Sequence, residues 1–210
     1  MASKGAAKAT LTAQNLQALG AARLAELLLE LSNGNPAAKR VLRLALAEQK
    51  GPAEMARQVR QRLATIGRAG SLLDDDPRDD LLRELDRHLK ALSGPIAEHD
   101  PALAVELLWE VLELSEGLIE RCDASDGVVR DWFHQASAVL GQVASKAPGS
   151  RQALADQVYA AVLSNGHGQF DPIVRDLGPA LGPEGLEHLR LRLASRRGRG
   201  DQDQAEREAL

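Results

Sequence analysis

Cysteine is almost missing from this chain. Cys122 stands alone among 210 residues, which excludes an internal disulfide and any cysteine-built metal cage. One free thiol fits a reducing compartment. Aromatic residues make up only 2% of the sequence, so a core must be filled by Leu, Ala and Val. Ala and Leu lose little side-chain entropy in helices, and stretches rich in Ile, Thr, Tyr and Phe that would read as strands are absent. Long apolar runs are lacking too. The leucines from Leu24 to Leu31 are interrupted by Glu26 and Glu30, and nothing approaches the ~20 residues needed to span a bilayer. Met1–Thr10 has no apolar stretch of signal-peptide length. These absences describe a soluble, cytoplasmic, all-α protein.

What is present is regular punctuation. Pro36, Pro52, Pro77, Pro101, Pro172 and Pro183 each follow Asn, Asp or Gly and precede a helix-like segment. Proline suits the first helical turn, where its missing N–H would have had no partner, and a preceding Asn or Asp can cap the neighbouring amides. About ten helices in antiparallel hairpins result. Leu24, Leu27, Leu28 and Leu31 are expected to form one buried face at the i, i+3, i+4, i+7 spacing. Met55, Val59, Leu63 and Ile66 line another helix. The polar stretch from Gly70 to Asp80 is expected as a boundary, with a helix from Leu81 to Leu92 after it. A single helix from Pro101 to Arg121 carries apolar residues around most of its circumference and is expected to be central. Shorter helices are expected at 172–181 and 183–196. The prolines show no fixed period, so the fold class is an irregular α-α superhelix with HEAT- or TPR-like stacking, or alternatively a compact helical bundle. The domain reading is 11–69 for basic N-terminal hairpins and 74–196 for a C-terminal hairpin stack, with disordered tails at 1–10 and 198–210.

The net charge of −4 conceals an asymmetry. From Lys39 to Leu73, eight Lys or Arg stand against two Glu; from Asp74 to Asp123, fifteen acids stand against five bases. Arg40, Arg43, Arg57, Arg60 and Arg68 compose a possible interaction face within the Lys39–Arg68 segment. Such a face can neutralise phosphates. The acidic half of the same chain offers it an internal partner, however, and a pI near 5.8 disfavours a dedicated nucleic-acid binder.

No catalytic, cofactor or metal constellation emerges. The five histidines, His88, His99, His134, His167 and His188, lack any paired ligand spacing. Cys122 and His134, with Asp123 or Asp126, could form a nucleophile–base group, although a lone Cys at a helix end commonly serves as a small hydrophobe. The turn Asp123–Gly127 lacks the oxygen spacing and terminal Glu of a calcium loop. The segment Asn165–Asp171 is the most unusual: two glycines flank His167, and Phe170 precedes an Asp-Pro helix start. It can admit a ligand to the backbone, or stop one helix and staple the next with Phe170.

Several blocks carry a resemblance. They are Leu11-Thr12-Ala13-Gln14-Asn15-Leu16 with Arg23-Leu24-Ala25-Glu26-Leu27-Leu28 and Ala37-Ala38-Lys39-Arg40, then Glu120-Arg121-Cys122-Asp123, and finally Asn165-Gly166-His167-Gly168-Gln169-Phe170-Asp171. Together, from about Leu11 to Leu193, they resemble an uncharacterised bacterial domain-of-unknown-function family of all-helical proteins. Its longer members look tetratricopeptide-like at the C-terminus. The resemblance implies helical stacking and no activity.

The leading expectation is a non-enzymatic helical scaffold that binds another protein, or a second copy of itself, without cofactor or membrane. The alternatives are a small-ligand binder or enzyme using the Cys122–Gly127 turn or the Gly166–Asp171 loop, and nucleic-acid binding through the Lys39–Arg68 face. The ligand-binding or enzymatic alternative requires a concave pocket where those segments meet Trp109 or Trp132.

Overall fold

Side-chain oxygens placed at helix starts organise the chain locally. The structure, a computed structural model, describes residues 10–122 and 127–208. Helix α1 spans Ala13–Gln17, and the Thr12 hydroxyl accepts from the Asn15 N–H at 3.2 Å. Helix α2 covers Ala21–Ser32 and α3 covers Pro36–Lys50, where Asn35 Oδ1 accepts from the Ala38 N–H at 3.0 Å. Gly51, at φ 108°, leads into α4, Pro52–Arg68. Each carbonyl or hydroxyl acceptor satisfies one of the amides that a helix start leaves free.

Helix α5 runs Asp75–Ala91, beginning six residues before the expected start at Leu81. Its first turn contains Asp75, Asp76 and Pro77. Carboxylates favour the positive end of the helix dipole, and proline fits the first turn, so the acidic stretch starts the helix. Residues just before it are pinned to Arg121. Arg121 donates to the Ser71 and Ile66 carbonyls, and the Leu73 N–H donates to the Arg121 carbonyl at 2.8 Å. A π turn at Leu92–Ile96, bent at Gly94, leads through the short α6, Ala97–His99, into α7, Pro101–Glu113. Asp100 caps α7 by accepting from the Leu103 N–H at 3.0 Å.

The expected central helix is broken. It ends as α7 at Glu113 and resumes as α8, Ser115–Arg121. Ser115 and Gly117 account for the break, since serine competes for backbone groups and glycine weakens a helix interior. Helix α9 follows at Val128–Ala144, α10 at Arg151–Leu163 and α11 at Ile173–Glu208. The last is one long element with a kink at Gly182 (φ 57°), which separates the two segments expected at 172–181 and 183–196. Among the described residues there is no sheet, and the fold is all-α. No helix among them is long and apolar enough to cross a membrane.

The chain divides into two compact units, Met1–Leu46 and Ala47–Leu210. In the first, the expected burial of α2 is not realised. Leu24 and Leu27 are half-buried, but Leu28 is 47% and Leu31 72% exposed. Helical periodicity marks an apolar face; it does not supply a helix to cover it. No apolar side chain from Thr10 to Leu46 is buried.

The second unit holds the core. Leu107, Leu108, Val111 and Leu112 of α7 are buried against α4, α9 and the π turn. Burying each such side chain contributes roughly 1.5–3 kcal/mol. Phe133 and Leu140 extend this layer along α9, which packs on α11. Helices α10 and α11 are joined by polar contacts as well. Asp156 accepts from His188 Nε2 at 2.8 Å and from Arg192, whose guanidinium lies 4.4 Å from the Tyr159 ring centroid. The His188 hydrogen bond, aided by the charge of Arg192, holds the Asp156 carboxyl below its ordinary pKa. A lowered carboxylate contributes stability at pH values above its unfolded pKa of about 3.9, and loses it as the pH falls through the folded value. Urea titrations are therefore expected to show wild type more stable than Asp156→Asn at pH 7, with the gap closing at acid pH. A gap independent of pH would contradict this.

Candidate ligand groove along α10

The loop after α10 is tightly built. Asn165 Oδ1 accepts from the Phe170 N–H and its Nδ2 donates to Asp171, both at 2.7 Å. Gln169 accepts from the His167 N–H at 2.9 Å and donates to the Ser164 carbonyl at 2.8 Å. His134 Nε2 donates to the Gly168 carbonyl at 2.8 Å, which fixes that ring nitrogen as the protonated one. Gly168 has φ 73°, and a Cβ there would come within 3.1 Å of the Asp171 carboxylate, so its glycine serves the turn. The result presents Gln169, 1% exposed, and the buried Phe170 to a hollow.

That hollow has a volume of about 380 Å³, within the usual range of ligand pockets. Trp109, Leu112, Ala161 and Phe170 form its apolar wall. Glu113, Glu116, Gln157 and Ser164 add polar groups, and no Lys, Arg or His lines it. The α7–α8 break at Leu114 lies between Glu113 and Ser115, both of which line the hollow. A second hollow of about 250 Å³ shares Gln157 and includes Ser150 and Leu154 of the same α10 region. The two lie in succession beside one helix.

The two tryptophans differ instructively. Trp132 donates its Nε1–H to Asp86 at 2.7 Å and packs edge-on against Phe133. Trp109 is 8% exposed, and its Nε1–H has no acceptor in the protein. A buried donor without an acceptor costs about 1–3 kcal/mol, so native folds rarely retain one without a reason.

Of the arginines singled out in the sequence, Arg40 and Arg43 belong to the first unit and Arg57, Arg60 and Arg68 to the second. Arg57 makes a two-pronged bond to Glu54, at 2.8 and 2.6 Å, on its own helix. That bond, with help from Gln58, pulls the Glu54 carboxyl down to about 2. Arg60 bridges Glu110 at 2.8 Å and Glu106 at 2.6 Å on α7. Arg68 donates to the Ala64 carbonyl of its own helix at 2.9 Å. The basic and acidic halves therefore meet at Arg60.

Of the Cys122–Gly127 turn, residues 123–126 lie outside the described residues, and His134 is engaged with Gly168. Of the Gly166–Asp171 loop, Gln169 and Phe170 do meet Trp109 at the hollow. Sequence reasoning overlooked Glu113 and Glu116 as a pair. A signal existed: two acids three apart, with no Lys or Arg three or four positions from either.

This arrangement belongs to an all-α chain. The chain is a member of a family of unknown function, DUF6880, whose model matches residues 6–210. No curated protein matches it. No solved structure matches it either.

Proposed function

We propose that this chain is a non-enzymatic, cytoplasmic helical scaffold, its hairpins stacked irregularly, that binds a segment of another protein in the groove along α10. The observation that carries the reading is the hollow of about 380 Å³ walled by Trp109, Leu112, Ala161 and Phe170, continued along α10 by a second hollow of about 250 Å³. The successive hollows, sharing Gln157, suit consecutive residues of an extended segment. Nucleic-acid binding draws less support, because Arg57 and Arg60 are matched by carboxylates of the same chain.

The test fills the hollow without touching the core. Ala160 lines it and is exposed. Panning a displayed random-peptide library on the wild-type chain is expected to enrich binders that Ala160→Trp no longer retains, while its circular dichroism stays unchanged. Failure to enrich any peptide, or equal retention by Ala160→Trp, would refute the groove.

A further inference from the structure

We infer that the first unit pairs with the same unit of a second copy of this chain, α2 lying antiparallel on α2 about a two-fold axis. This surface is separate from the groove along α10. Residues 1–46 contain no Cys, His or Asp, so neither a disulfide nor the usual metal ligands can staple them. Chains below about 40 residues usually need such a staple or oligomerisation. The first unit is little larger, and it buries no apolar side chain from Thr10 to Leu46. Leu28 and Leu31 are exposed on α2 beside the half-buried Leu24 and Leu27. Contiguous apolar faces left uncovered mark association surfaces.

The occupant is read from α2 itself. Leu24, Leu27, Leu28 and Leu31 follow at intervals of three, one and three, which are the same in either direction. An antiparallel copy centred between Leu27 and Leu28 therefore sets Leu24 level with Leu31 of the second copy, and Leu27 level with Leu28. The charges fit the same placement. Arg23 directly precedes the first of these leucines and Glu30 the last, seven residues apart, so both flank the seam on one side. Two-fold symmetry keeps that side in common when the helices run antiparallel. Arg23 of each copy then lies about two residues, or ~3 Å, along the axis from Glu30 of the other. A parallel pair would put them on opposite sides of the seam, where they could not meet. Glu30 has no ion-pair partner among the described residues, and the 2.9 Å bond from Arg23 to Glu26 joins exposed groups. Such a bond is worth little and is readily exchanged.

Sedimentation equilibrium of the full chain at low salt is the test, with circular dichroism as the check on folding. The wild type is expected at twice the 22.5 kDa of one chain. Leu28→Ser and Leu31→Ser should each weaken the dimer about tenfold or more, since each removes a leucine from both copies. Arg23→Glu or Glu30→Arg alone should weaken it about fivefold by setting like charges against each other twice. Combining the two exchanges should restore wild-type affinity. A wild type that stays monomeric would overturn the inference and leave the leucines to a different protein. A dimer unmoved by both leucine variants is held elsewhere on the molecule. A double exchange no tighter than its single parents excludes the antiparallel pairing, and either of these results also overturns the inference.

Discussion

Replacing Gly141 with alanine is expected to destabilise the protein by about 3 kcal/mol or more, at the upper end of what overpacking costs. Gly141 lies on the buried face of α9 where that helix packs on α11. A Cβ built there would sit 2.1 Å from the Asp176 carbonyl oxygen and 2.8 Å from its carbonyl carbon. Both are backbone atoms, so no rotamer change can make room; α11 itself would have to move. That shift would disturb Leu177 and Leu181, which are fully buried on the same helix. Gly117 is the internal control. It lies within α8 with nothing inside 4 Å of its would-be Cβ and without a positive φ. Gly117→Ala should therefore stabilise by roughly 0.5–1 kcal/mol, through helix propensity alone. Urea unfolding of both variants checks the pair. Equal midpoints for wild type and Gly141→Ala would mean that α9 and α11 do not approach as described.

Much of the local structure was legible from residue type and spacing, because it depends on neighbours in the chain. Asn35 and Asp100 cap the helices they were expected to cap, and Ser150 does the same, since a side chain reaches an amide three residues on whatever the rest of the fold does. The all-α class followed from composition in the same way. Features that depend on distant packing were less legible. The leucines of α2 have the right period, yet Leu28 and Leu31 are exposed, because periodicity records a face and not its cover. The apolar run through Leu114 read as one helix, since its leucines stay in register; the weak positions at Ser115 and Gly117 decide the break.

The same division applies to the site. The Asn165–Asp171 loop stood out because glycines and an aromatic are unusual together in this chain, and its hydrogen-bond network explains why they are there. That the loop would carry Phe170 to a hollow lined by Trp109 was a conditional expectation, resolved only by where α7 and α10 lie. The two tryptophans cannot be told apart in sequence by their hydrogen bonding. Trp132 finds Asp86 across 46 residues, and Trp109 finds no acceptor. Likewise the charge split between early and middle segments was plain, whereas the bridge from Arg60 to Glu106 and Glu110 is a tertiary fact.

That charge split also hides one pair of much greater consequence than the exposed ones. Arg62 of α4 clasps Glu84 of α5 with two parallel bonds, at 2.7 and 3.0 Å. The Glu84 side chain is 6% exposed and that of Arg62 is 21% exposed. His88 lies beside them, its Nε2 3.9 Å from the same carboxylate, and neither of its ring nitrogens has a hydrogen-bond partner. Arg62→Ala is expected to cost on the order of 3 kcal/mol, because it leaves a buried carboxylate without the guanidinium that offsets its desolvation. Arg60→Ala removes just as many short contacts but from partly exposed partners, 44% against 63% and 31%, and should cost about 1 kcal/mol or less. The Arg62→Met, Glu84→Leu double variant should regain most of the loss, since a buried pair rarely outperforms apolar groups of similar size. Urea denaturation of the four proteins separates the possibilities. An Arg62→Ala effect no larger than that of Arg60→Ala would show the pair to be solvated, and a double variant as weak as Arg62→Ala would show that its charges, beyond their volume, hold α4 on α5.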